Sequence, residues 1–142
     1  MIERIEYNSK EYAVVIRKEH HEEGVHFLTS AEYSQQLAYM HHTKGKNIDA
    51  HIHNREIRNV EYTQEVLIIR KGKLRVDFYD DEQKYIESIL LDEGDVILLV
   101  TGGHGFKVLE EVEMIEVKQG PYLGENDKLR FENIEDNKVI MR

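Results

Sequence analysis

Residues 64–91, QEVLIIRKGKLRVDFYDDEQKYIESILL, are the stretch that most narrows the possible folds. Short β-branched and aromatic runs broken by glycine and acidic turns match strands far better than helices, which need a 3.6-residue apolar period. Two runs flank Lys71-Gly72 and a third follows the polar turn DDEQ, so the segment predicts a three-strand meander. YAVVIRK (12–18), EGDVILLV (93–100) and GFKVLEEVEMIEVKQG (105–120) supply further strands, with bends expected at Gly94-Asp95 and Glu110-Glu111. Only SAEYSQQLAYM (30–40) admits a short helix, and a strand after the Ser30 break is an equal reading. The single proline, Pro121, follows the last long strand, where a missing ladder donor does no harm. The chain is therefore expected to be all-β, a jelly-roll sandwich or small barrel.

A length of 142 residues suits one domain over 1–142, with a single core. A formal net charge of −9 without any Lys/Arg block argues against nucleic acid or an anionic membrane as partner and for small molecules or proteins. With no cysteine, neither disulfides nor thiolate metal sites are available, and a metal would need His, carboxylate or water. The N-terminal MIERIEYNSKEY lacks an apolar signal core and no apolar run approaches a membrane span, so a soluble cytoplasmic protein is expected. YAVVIRK, read as an open sheet edge, predicts a homodimer.

DAHIHN (49–54) reads as a strand that puts His51 and His53 on one face with Ile52 on the other, an arrangement able to pinch a metal ion. The alternative is a pair of partly exposed histidines. Counting outward gives Gly45, five residues, His51-Ile52-His53, eleven residues, Glu65, six residues and Gly72. This spacing resembles the first cupin motif, residues 45–72, with a loop NREIRNVEYTQ longer than the family norm in which Glu56 and Glu61 compete with Glu65. Alternation sets Glu65 on the face of Leu67 and Ile69. GDVILLVTGGH is similar to the second motif, residues 94–108, with Gly94, Val100 at the proline position, Gly102, His104 one residue early and Val108 at the asparagine position.

The resemblance implies a cupin fold and a divalent ion held by His51, His53, Glu65 and His104. Three imidazoles and a carboxylate accept Zn, Mn, Fe, Ni or Co and leave positions open. The pairs His20-His21 and His41-His42 are expected mostly on exposed faces, and His26 is expected on a strand with a local partner. MIEVKQGPYLGENDKLRFEN (114–133) resembles the end of the cupin domain in type II mannose-6-phosphate isomerases, with Lys118 at their glutamine position. That likeness implies carbohydrate-derived ligands, with activity on a phosphorylated or nucleotide-linked sugar.

Glu116 and Lys118 share a strand face and form a candidate catalytic acid–base pair; a solvated ion pair is the plainer reading. Arg55, Arg58 and Tyr62, in a loop bounded by candidate ligands, are candidate substrate contacts, against a plain surface excursion or dimer contact. An isomerase or epimerase next to a carbonyl leads. A metal-dependent dioxygenase and a non-catalytic ligand-binding module are the alternatives. If the resemblance carries the metal, replacing His51 and His53 together by Ala removes stoichiometric metal from the purified protein, as read by elemental analysis.

Overall fold

The computed structural model describes residues 1–142. Eight strands follow in order: β1 (Ile2–Tyr7), β2 (Lys10–Ile16), β3 (Gly24–Phe27), β4 (Ala38–His41), β5 (Glu65–Tyr79), β6 (Tyr85–Asp92), β7 (Val96–Leu99) and β8 (Gly103–Lys118). Two short 3-10 turns, Gly124–Asp127 and Asp136–Lys138, come after them. The fold is all-β, and no helix is long and apolar enough to cross a membrane. Residues 31–35 turn without forming a helix, and Ala38–His41 form β4, so the strand reading of this stretch holds for its end.

The main sheet runs β1-β2-β7-β5-β6, with β8 on the other side of β5, and all its pairings are antiparallel. The first half of β5 lies between β7 and β8, and its second half lies between β6 and β8. The sheet curls into a half barrel. β3 and β4 form a separate two-stranded sheet.

The expected hairpin at Lys71-Gly72 is not there, because β5 runs through it as one strand. The reason lies in side-chain parity. Leu67 and Ile69 face the core from odd positions, whereas Leu74, Val76 and Phe78 face it from even ones. A strand alternates strictly, so one residue must drop out of step. Register shifts between Ile69 and Leu74 accommodate it, and the bend expected at Glu110-Glu111 falls inside β8 opposite them. Gly72 sits in this bend at φ +84, where a Cβ would lie 2.0 Å from the Glu111 carbonyl oxygen.

YAVVIRK is not a sheet edge. β2 lies between β1 and β7, and Tyr12 through Ile16 are buried. Open edges belong to β1, which pairs only with β2, and to β8, which pairs only with β5 and leaves Val108, Leu109, Met114, Ile115 and Val117 exposed. The C-terminal segment covers the outer face of the second half of β5. There Ile134 N–H donates to the Tyr79 hydroxyl at 2.9 Å, and the buried Arg75 guanidinium bridges Asp77 at 2.8 Å and Asp136 at 2.9 Å.

Gly72→Ala should therefore cost at least about 2 kcal/mol, since both backbone strain and a backbone clash oppose it. Gly45→Ala, with φ +90 but nothing within 4 Å of the added Cβ, should cost only about 1 kcal/mol of strain. Urea midpoints of the two variants measure the difference.

Candidate functional site

Glu65 opens β5 on the core-facing side, in line with Leu67 and Ile69, and is only 7% exposed. Its ladder neighbours are Leu99 of β7 and Lys118 of β8. Three residues separate Leu99 from the start of β8, so His104 follows within five positions of Glu65's neighbour. His104 pairs with Phe78 at the far end of the β5–β8 ladder, and the curl of the sheet brings that end back to Glu65.

The His104 Nε2 lies 3.3 Å from Glu65 Oε2, and the Lys118 ammonium lies 3.8 Å from Oε1. Glu116, two residues before Lys118 and on the same face, holds that ammonium at 2.8 Å. The His104 contact keeps the Glu65 carboxyl below its usual range, with the charges of His104, Lys118 and Lys128 assisting and burial opposing. The contact with Glu116 raises the Lys118 ammonium above its usual value, with the charge of Glu65 contributing. Two acids and two bases thus occupy one end of the half barrel, with a carboxylate that stays ionised and an ammonium that stays charged.

An amide network missed by sequence reading borders this cluster. The backbone N–H of Gln64 donates to Gln119 Oε1 at 2.7 Å, and Gln119 Nε2 donates to the Ser34 hydroxyl at 2.7 Å. Ser34 in turn donates to Gln64 Oε1 at 3.1 Å, and the Thr63 hydroxyl donates to Asp127 at 2.8 Å. The start of β5, the end of β8, the loop at Ser34 and the first 3-10 turn are thereby tied together. Nothing in the local sequence singles out Gln64 or Gln119, because their partners are distant in the chain.

The remaining candidates stand apart. Residues 42–64 contain no strand, so His51 and His53 are on an exposed loop and not on a strand face. Their rings meet edge to face at 5.2 Å, and His51 Nδ1 lies 2.9 Å from the Asp49 carbonyl oxygen. Arg55, Arg58 and Tyr62 are exposed on the same loop and enter none of the ion pairs around Glu65. No three His, Asp or Glu side chains gather at one point, and Glu65 Oε1 faces an ammonium. As arranged, the residues do not fit a three-histidine, one-glutamate metal centre. Two surface cavities lie elsewhere, one lined by Arg17, Asp95 and Arg142 and the other by Arg4, Glu11 and Tyr33.

No protein-family model matches the chain, and neither a curated protein nor a solved structure matches it.

A carboxylate whose pKa is lower in the folded than in the unfolded state adds stability above the unfolded value, and that stability is lost as pH falls through the folded value. Glu65→Gln should therefore cost about 1.5–3 kcal/mol at neutral pH, the worth of a hydrogen bond to a charged group. The gap between variant and wild type should close on acidification below the carboxylate range, as followed by urea unfolding at a series of pH values.

Proposed function

We propose that this chain is a cupin-type jelly-roll domain that binds a small carbohydrate-derived ligand and transfers a proton on the carbon next to its carbonyl, as an isomerase or epimerase does. One observation carries the reading: the buried carboxylate of Glu65 contacts His104 on one oxygen and Lys118 on the other. Glu65 and His104 come from the two halves of the cupin-like spacing, and their contact supports that resemblance. The likeness of residues 114–133 to mannose-6-phosphate isomerases directs the choice of ligand to sugar phosphates and nucleotide-linked sugars.

In this scheme a neutral His104 carries its hydrogen on Nε2, towards Glu65, and presents the Nδ1 lone pair as general base. Glu65 fixes that tautomer and stabilises the imidazolium that forms. As the base removes the proton next to the carbonyl, charge grows on the carbonyl oxygen, and the Lys118 ammonium, held by Glu116, is placed to offset it. When the neighbouring hydroxyl gives its proton to the former carbonyl oxygen and the carbon-bound proton returns to the former carbonyl carbon, the isomer forms; return of the proton to the opposite face of its original carbon gives the epimer. Lys118 is thus an electrostatic group and Glu116 its anchor, which revises the simple acid–base pair expected of the two.

The test is NMR detection of deuterium exchange at the carbon next to the carbonyl, with the full chain and a panel of sugar phosphates and nucleotide-linked sugars in deuterated water. At least one should exchange, and His104→Ala should slow that exchange by about 10²–10⁴-fold. Binding of a sugar without exchange would leave a ligand-binding module, and neither binding nor exchange would overturn the reading.

A further inference from the structure

The connection between β2 and β3, together with β3 itself, reads EHHEEGVHF (19–27) and carries three histidines and three glutamates in nine residues. The expected solvent-facing role fits His20 poorly. Its side chain is only 10% exposed, its ring packs edge-on against Tyr39 of β4 at 4.6 Å, and its Nε2 is buried without a hydrogen-bond partner. A buried polar nitrogen left unpaired costs roughly 1–3 kcal/mol, so such an atom calls for an explanation.

His26 supplies a second observation. Its Nε2 lies 2.7 Å from the Glu23 carbonyl oxygen, which can only accept, so Nε2 carries the hydrogen. In the neutral ring Nδ1 is then a lone pair, and it faces Glu22 Oε1 at 3.5 Å. The other oxygen of the same carboxylate faces the orphan His20 Nε2 at 3.7 Å. His20 Nε2 and the His26 Nδ1 lone pair thus each face one oxygen of the Glu22 carboxylate at separations too long for good hydrogen bonds. Two metal bonds of about 2.1 Å at a tetrahedral angle place their ligand atoms about 3.4 Å apart, close to both separations.

We propose that His20 Nε2, the Glu22 carboxylate and His26 Nδ1 form a zinc-class divalent-cation site, independent of the Glu65–His104 cluster and of the loop histidines His51 and His53. Two imidazoles and one carboxylate are a common zinc ligand set and leave a fourth position for water. The hydrogen bond from His26 Nε2 to the Glu23 carbonyl is the outer contact that fixes a ligating histidine's tautomer and ring orientation. Binding requires the donors to draw together. No three meet at a common point, and Glu22, whose side chain is 53% exposed, is the one free to swing between the two rings. The ion would fasten the loop after β2 to the β3–β4 pair, which shares no strand pairing with the main sheet.

The experiment titrates zinc alone into the chelator-stripped full chain by calorimetry, beside the variants His20→Ala, His26→Ala and the double variant His51→Ala/His53→Ala. Wild type and the double variant should bind one zinc with equal affinity. His20→Ala and His26→Ala should each lose at least the roughly 10–100-fold that loss of even an outer-shell partner costs. Because a variant can fail to fold, circular dichroism accompanies each titration. In the wild type, zinc-induced shifts of the His20 and His26 ring resonances provide a readout that needs no substitution. Absence of zinc binding, affinity unchanged in both single variants, or ring shifts confined to His51 and His53 would each overturn the site.

Discussion

The antiparallel pairing of β5 with β8 extends from Glu65–Lys118 to Tyr79–Gly103, and the other strands of the main sheet attach to this ribbon. β7 and, through it, β2 and β1 join the first half of β5, whereas β6 joins the second. A flat ribbon of that length could not enclose a core. The bend around Gly72, with its change of side-chain parity, allows both halves to present apolar residues to one interior: Leu67 and Ile69 before it, Leu74, Val76 and Phe78 after it. It also returns the His104 end of the ladder to Glu65. The core and the candidate site are two results of one irregularity.

Glu65 shows what the interior demands of a charge. Burial favours a neutral carboxyl, yet the carboxyl is held ionised because His104 and Lys118 meet its two oxygens. Taking away Lys118 or the His104 contact would leave a buried carboxylate short of its compensation, which is far more costly than losing an exposed ion pair. Glu116, more exposed, anchors Lys118 from the solvent side, so the polar cluster grades outward from a buried acid to a wet one.

Much of this was legible in the chain. The strand runs, the DDEQ turn and the turn at Gly94 follow from composition and punctuation, and alternation alone puts Glu65 beside Leu67 and Ile69. Gly72 does not announce its role, because a glycine between two apolar runs looks the same whether the chain reverses or merely bends. The parity change from Ile69 to Leu74 was the available clue. His51-Ile52-His53 has the alternation of a strand, but Asn47, Asp49 and Asn54 around it offer little that packs, and without a partner strand the alternation has nothing to act on. YAVVIRK shows the reverse: too apolar for an edge, it is an interior strand. The surroundings of His20 and His26 depend on Tyr39 and on a backbone carbonyl, neither of which spacing reveals.

The open side of β8 has a meaning for how copies of this chain behave together. A 16-residue strand with one row of unpaired backbone groups and several exposed apolar side chains is a template on which another extended chain can zip. Glu110, Glu111, Glu113 and Glu116 line that strand, and antiparallel stacking of two such edges centred on Glu113 sets Glu110 opposite Glu116 and Glu113 opposite its own copy. Like charges opposed in this way disfavour that pairing, so part of the acidity of this chain works against edge-to-edge association.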